Sequence, residues 1–224
     1  MRKGFTLAET LITLGIIGVV AAINIPNLIS THQKKTTVTK LQKAISIINQ
    51  AYRLSFDDVG EPQSAFDIGS EEYFKTYWAP YIKVLTYCTS AEICGYKSNS
   101  DFKYLNGNQA QVVITAKSAR TTFFTADGFL YIIFTANGSS LTESGYEPNN
   151  KVYVDINGSA KPNTYGKDIF ILERLSDGKG VQPYGYNMSD DKINNNCSKY
   201  KIGDLCAEKI RRSGWQIDKS YPWK

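Results

Sequence analysis

Four cysteines, one histidine and a scatter of carboxylates are the side chains with obvious chemistry here. The cysteines fall as two close pairs, Cys88 with Cys94 and Cys197 with Cys206. In an oxidising compartment such pairs read as two small disulfide loops. Zinc is the rival reading. It prefers C-x-x-C-like spacing with histidine, and the only histidine, His32, lies beside an apolar run. One histidine also leaves no Ser-His-Asp or Cys-His arrangement to build. No Gly-x-x-x-x-Gly-Lys-Ser phosphate loop is present. Nothing in these patterns points to an enzyme.

One segment could hold a metal. Asp155-Ile156-Asn157-Gly158 is followed by Pro162-Asn163 and Gly166-Lys167-Asp168. Oxygen ligands at alternate positions ending in glycine could begin a calcium loop, with Asp155, Asn157 and Asp168 as its donors. The full D-x-[DN]-x-[DN]-G pattern is missing, and no glutamate closes it. The competing reading is an Asn-Gly turn followed by a proline-stiffened loop.

The remaining carboxylate of interest is Glu9. From Phe5 to Ile29 the chain is almost wholly apolar or small, about the length that spans a bilayer. An ionisable group inside such a span costs roughly 2.5–3.5 kcal/mol on insertion scales, so it marks a functional position. Arg2, Lys3 and Gly4 precede Phe5. This combination resembles the amino terminus of type IV prepilins and type II secretion pseudopilins. The resemblance implies that a prepilin peptidase cuts after Gly4 and methylates the new amino terminus at Phe5. Glu9 then stands at the fifth mature position. It further implies an amino terminus facing the cytoplasm. A plain positive-inside count says the opposite, because Lys34, Lys35, Lys40 and Lys43 outnumber Arg2 and Lys3. The resemblance overrides that count. An ordinary secretory signal cleaved after Ala22 is the competing reading. Glu9 and the helical pattern continuing past Ala22 argue against it.

These features need elements to position them. Val38, Leu41, Ile45, Ile48 and Tyr52 recur at steps of three and four, one amphipathic face. Joined to the span, they predict a helix from Phe5 to about Phe56, about 75 Å long. Pro26 removes a backbone donor inside it and predicts a bend. In the family a proline near this point marks a place where the helix bends or melts locally during assembly. Residues 57–70 read as a loop, and 71–85 as a short helix. Strands are expected at residues 111–116, 121–126, 129–134, 151–156 and 168–172, with Asp127-Gly128 as a hairpin turn. The last stretch, from Asp177, is turn-rich.

A long helix followed by a strand meander implies an α+β fold. The domains follow: a leader at 1–4, a membrane-spanning half-helix at 5–29, an amphipathic half at 30–56 and an extracytoplasmic domain at 57–224. The resemblance implies a pilin-like fold, with the helix packed on an antiparallel sheet. Some pseudopilins also hold calcium near the segment around Asp155. Formal net charge is +5, and losing Arg2 and Lys3 takes the basic residues from 26 to 24 against 21 acids. The remaining side-chain charge of +3 does not argue for nucleic acid.

The expected function is a structural subunit of a type IV pilus-like or type II secretion pseudopilus filament. Its expected partners are prepilin peptidase, other pilin or pseudopilin subunits and an inner-membrane assembly platform. It would wait in the inner membrane with its soluble domain outside the cytoplasm. The alternatives are a monomeric membrane-anchored binding module and a secreted soluble protein.

Overall fold

The computed structural model describes residues 4, 6–62, 68, 70–98, 101–110, 114, 120–134, 151–175 and 178–223. Phe5 and nearly all of the strand expected at 111–116 lie outside these residues. The chain forms two units, Met1–Thr36 and Thr37–Lys224. Helix α1, Leu7–Val59, contributes to both. It remains helical through Pro26, which lies inside it.

In the first unit the helix keeps its apolar side chains outside. Leu7 is 79 % exposed and Leu28 71 %. Polar side chains in the run bond to their own helix instead. Asn24 Nδ2 donates to Val20 O at 2.8 Å, and Thr13 Oγ1 donates to Thr10 O at 2.9 Å. That satisfaction within one segment is what a nonaqueous surrounding demands.

In the second unit Val38, Leu41, Ile48 and Tyr52 of the seam read from the sequence are buried, Ile45 is partly buried, and Ala44 beside them is buried too. Leu41, Ala44 and Ile48 are each 0 % exposed. They pack against one face of a six-stranded antiparallel sheet whose strands follow chain order. The strands are β1 (Val84–Tyr87), β2 (Arg120–Thr125), β3 (Leu130–Phe134), β4 (Lys151–Asp155), β5 (Ile169–Leu175) and β6 (Gly180–Pro183). This is the α+β arrangement that the resemblance implied. The hairpin at Asp127-Gly128 joins β2 to β3, with Phe123 opposite Tyr131, and Gly128 takes φ +80°. That left-handed conformation is the reason a glycine stands there.

The sheet is covered on both faces. Phe123, Tyr131, Val154 and Phe170 face α1 and the short helix α2, Ser70–Tyr77. Leu130, Ile132, Ile169 and Ile171 face Cys88, Tyr96 and Phe102 in a second core. Strands buried on both faces read as continuous apolar runs, which β3 does, while the buried β4 carries Lys151 and Asp155 at its ends.

Three expectations are corrected. Residues 71–85 are not one helix. A helix ends at Tyr77, a 3₁₀ turn follows at Ala79–Tyr81, and Val84 begins β1. Pairing with β2 draws Val84–Tyr87 into the sheet and ends the helical part of the segment before it. Asp57 and Asp58 belong to α1, not to a loop. The carboxy-terminal stretch holds β6 and two helices, α3 (Asp190–Asn196) and α4 (Cys206–Arg212).

Candidate functional site

The amino-terminal constellation is built locally. Thr6 N and Thr6 Oγ1 both donate to Glu9 Oε2 at 2.8 Å, and Glu9 N donates back to Thr6 Oγ1 at 3.3 Å. This is a capping box, in which residues three apart satisfy each other's free groups at a helix start. The T-x-x-E signal was present in the sequence and was not read there. Gly4 is exposed, and a Cβ at that position meets nothing within 4 Å. From Leu7 onward the helix is long and apolar enough to cross a membrane by length and composition.

The four cysteines form two disulfides, Cys88–Cys94 and Cys197–Cys206, with none left free. The first lies in the second core, before Tyr96. The second joins the end of α3 to the start of α4. Zinc therefore loses its thiolates, and His32 is exposed on α1.

Asp155 and Asp168 come together at the connection between β4 and β5. Asp155 is 1 % exposed and Asp168 is 3 %. Tyr96 Oη donates to Asp155 Oδ2 at 2.8 Å, and Asn157 N donates to Asp155 Oδ1 at 3.0 Å. Thr164 N and Asn163 N donate to the two oxygens of Asp168 at 2.6 and 2.8 Å. Burial pushes the Asp155 carboxyl well above the usual carboxylate range, and the neighbouring Asp168 charge adds to it. Burial raises Asp168 to about 6, against the pull of the Thr164 and Asn163 N–H groups. Two amide oxygens here, Asn157 Oδ1 and Asn163 Oδ1, are buried without a hydrogen-bond partner. The sequence reading had Asp155, Asn157 and Asp168 and missed Asn163, although the Pro-Asn pair stood in the same motif. Among the described residues, no three His, Cys, Asp or Glu side chains form a metal-ligand group.

Two family models match this chain. A Prokaryotic N-terminal methylation motif covers residues 1–23, so the leader and the start of the helix are a type IV pilin-like prepilin signal. That motif supports a subunit of pilin or pseudopilin type. A Family of unknown function (DUF6613) covers residues 27–224. No curated protein and no solved structure matches the chain. With the prepilin signal at its start and the second model spanning the rest, the chain belongs to the family of unknown function DUF6613.

Proposed function

We propose that this protein is a structural subunit of a type IV pilus-like or type II secretion pseudopilus filament. Prepilin peptidase would cut between Gly4 and Phe5. The subunit would wait in the inner membrane with its soluble domain outside the cytoplasm. An inner-membrane assembly platform would then pass it into a filament of like subunits, in the periplasm or at the cell surface. Lipid-facing surface of α1 would become subunit-facing surface, so little apolar area would meet water.

The observation that carries this reading is Glu9, a carboxylate at the start of an exposed apolar helix and inside the matched prepilin signal. In a filament it would pair with the amino group of Phe5 on a neighbouring subunit. A head-to-tail contact of that kind does not close and grows a filament. The capping box supports the state before assembly, because Thr6 holds the carboxylate locally until a neighbour arrives.

Three variants in cells lacking the wild-type copy test the proposal. Leader cleavage and sheared filament yield are read separately. If Glu9 acts as a charge, Glu9→Ala and Glu9→Gln are cleaved but not incorporated, while Thr6→Ala still assembles. If Glu9 acts only as a cap, Glu9→Gln assembles and Thr6→Ala fails, and the assembly role is lost. Mass spectrometry of the mature protein separates the rivals: N-methylated Phe5 fits a filament subunit, an intact Met1 an anchored binding module and Ile23 a secreted protein.

A further inference from the structure

We propose that Arg174, Tyr73, Trp78 and Ser55 form a buried site for a small monovalent anion of chloride size. Their unpaired polar atoms carry the argument. Arg174 Nε and Nη1, Trp78 Nε1, Tyr73 Oη and Ser55 Oγ are all buried without a hydrogen-bond partner. Tyr73 is 0 % exposed, and Trp78 and Ser55 are each 2 %. The guanidinium and the indole can only donate, and the two hydroxyls can turn a hydrogen toward an acceptor. Native structures explain such buried atoms with a water or an ion.

The fold gathers these groups beneath the end of α1. Arg174 stands opposite Val181 in the β5–β6 ladder, two residues beyond Leu172. Val181 and Leu172 both lie in the core against α1, so the alternation of a strand sends the Arg174 side chain to that face. Tyr52, three residues before Ser55 on α1, packs at the same edge, with Cδ1 3.7 Å from where a Cβ on Gly180 would stand. The Arg174 charge acts on the hydroxyls of Tyr52 and Tyr73, against the upward push of their burial. The Trp78 indole acts on the Tyr73 hydroxyl too, yet the two close no hydrogen bond of normal geometry. Tyr81 Oη donates to Asp58 Oδ2 at 2.6 Å and ties the turn after α2 to the end of α1.

The charge selects an anion. The Arg174 side chain is only 12 % exposed. Among the described residues its ion-pair partner is Glu61, whose Oε1 stands 3.6 Å from Nη1, too long for a hydrogen bond. The Glu61 side chain is 57 % exposed, so it answers the guanidinium from the solvent side. A water would meet the donors and leave the buried charge poorly matched, whereas an anion does both. An ion entering so closed a site must shed most of its water. A monovalent halide does that at lower cost than a divalent phosphate or sulfate, and its single charge matches one guanidinium. Bound there, it would bridge the ends of α1, α2 and β5.

The test uses the full-length chain in detergent at fixed ionic strength, with sodium chloride replacing sodium gluconate. Binding is read from the chloride NMR linewidth, beside thermal melts. Chloride at about a hundred times its Kd should raise the folded-to-unfolded ratio about a hundredfold. Bromide should substitute for it, and sulfate should not. Arg174→Met should lose both responses. It should also melt in gluconate no lower than the wild type, because a poorly matched buried charge leaves with the side chain. Tyr73→Phe and Trp78→Phe should each weaken binding about tenfold, the loss of one hydrogen bond to a charged group. Glu61→Gln should bind chloride more tightly, since its carboxylate no longer competes for the guanidinium. A wild-type chain that neither broadens the chloride line nor melts higher in chloride overturns the proposal. So does a response that persists undiminished in Arg174→Met. Neither result depends on whether the chain enters a filament.

Discussion

Asn49 on α1 exchanges two hydrogen bonds with the peptide of Val181 on β6. Its Nδ2 donates to Val181 O at 2.6 Å, and Val181 N donates to Asn49 Oδ1 at 2.9 Å. The carboxamide thus stands where a further strand would pair. It satisfies an edge that would otherwise offer free backbone groups to another chain. Gly180 makes room for it. A Cβ at Gly180 would meet Asn49 Oδ1 at 2.5 Å, and the residue sits at φ +71°.

This relationship predicts that Asn49→Ala destabilises the domain by about 1–3 kcal/mol, the range for leaving buried groups unpaired. Asn49→Asp should cost more, since a carboxylate then faces the Val181 carbonyl. Gly180→Ala should be destabilising, and less so in the Asn49→Ala background, where the steric partner is gone. Denaturant melts of the four proteins measure it. Strict additivity would show that the two residues do not act on each other.

Glu208 supplies a second prediction. It is 0 % exposed and accepts from Arg211 Nε, Arg211 Nη2 and Arg212 Nε, each at 2.7 Å. Removing one partner of a buried charge set costs about 3–5 kcal/mol. The two arginine side chains are still 29 % and 28 % exposed, so Glu208→Ala should fall near the lower end. Lys75→Ala, which breaks only the exposed pair with Glu71, should shift stability by less than about 0.5 kcal/mol. Equal effects from the two variants would contradict burial as the deciding factor.

Glu173 predicts a pH dependence. Burial pushes its carboxyl above the usual glutamate value of 4.5, opposed by the N–H groups of Gly185 and Tyr186. A raised folded pKa means that the folded state holds the proton more tightly than the unfolded one. Its contribution is fully present below 4.5 and is lost as pH rises through the folded value. Glu173→Gln keeps an oxygen for Gly185 N, which donates to Oε1 at 3.2 Å. The variant should melt above the wild type at about pH 8, with the gap closing by about pH 4. A gap that stays constant with pH would remove titration as its cause.

Gly4 gives a prediction outside the folded domain. A bulky residue there has open space around it, so the fold should not notice the change. A peptidase cutting after Gly4 must draw the backbone close, and side-chain bulk opposes that. Gly4→Ala should be processed slowly and Gly4→Val blocked, as read by the mass of the mature chain. Normal cleavage of the valine variant would move the cut site elsewhere.

By itself the sequence determined the features that need only neighbours along the chain. The prepilin signal, the apolar run and the seam from Val38 to Tyr52 are periodic within a few turns. The Asp127-Gly128 hairpin follows from turn chemistry alone. Asp155, Asn157 and Asp168 stood out because their oxygens sit in one motif. The capping box of Thr6 and Glu9 was equally local and was legible. Only the tertiary structure decided the rest. Val84–Tyr87 became a strand because β2 lies beside it, and Gly180–Pro183 because β5 does. Asn49 closes a sheet edge 132 residues away, and Asp101 orients Asn163 across 62. A polar side chain's role depends on which distant group it meets once water is excluded, and no local period encodes that meeting.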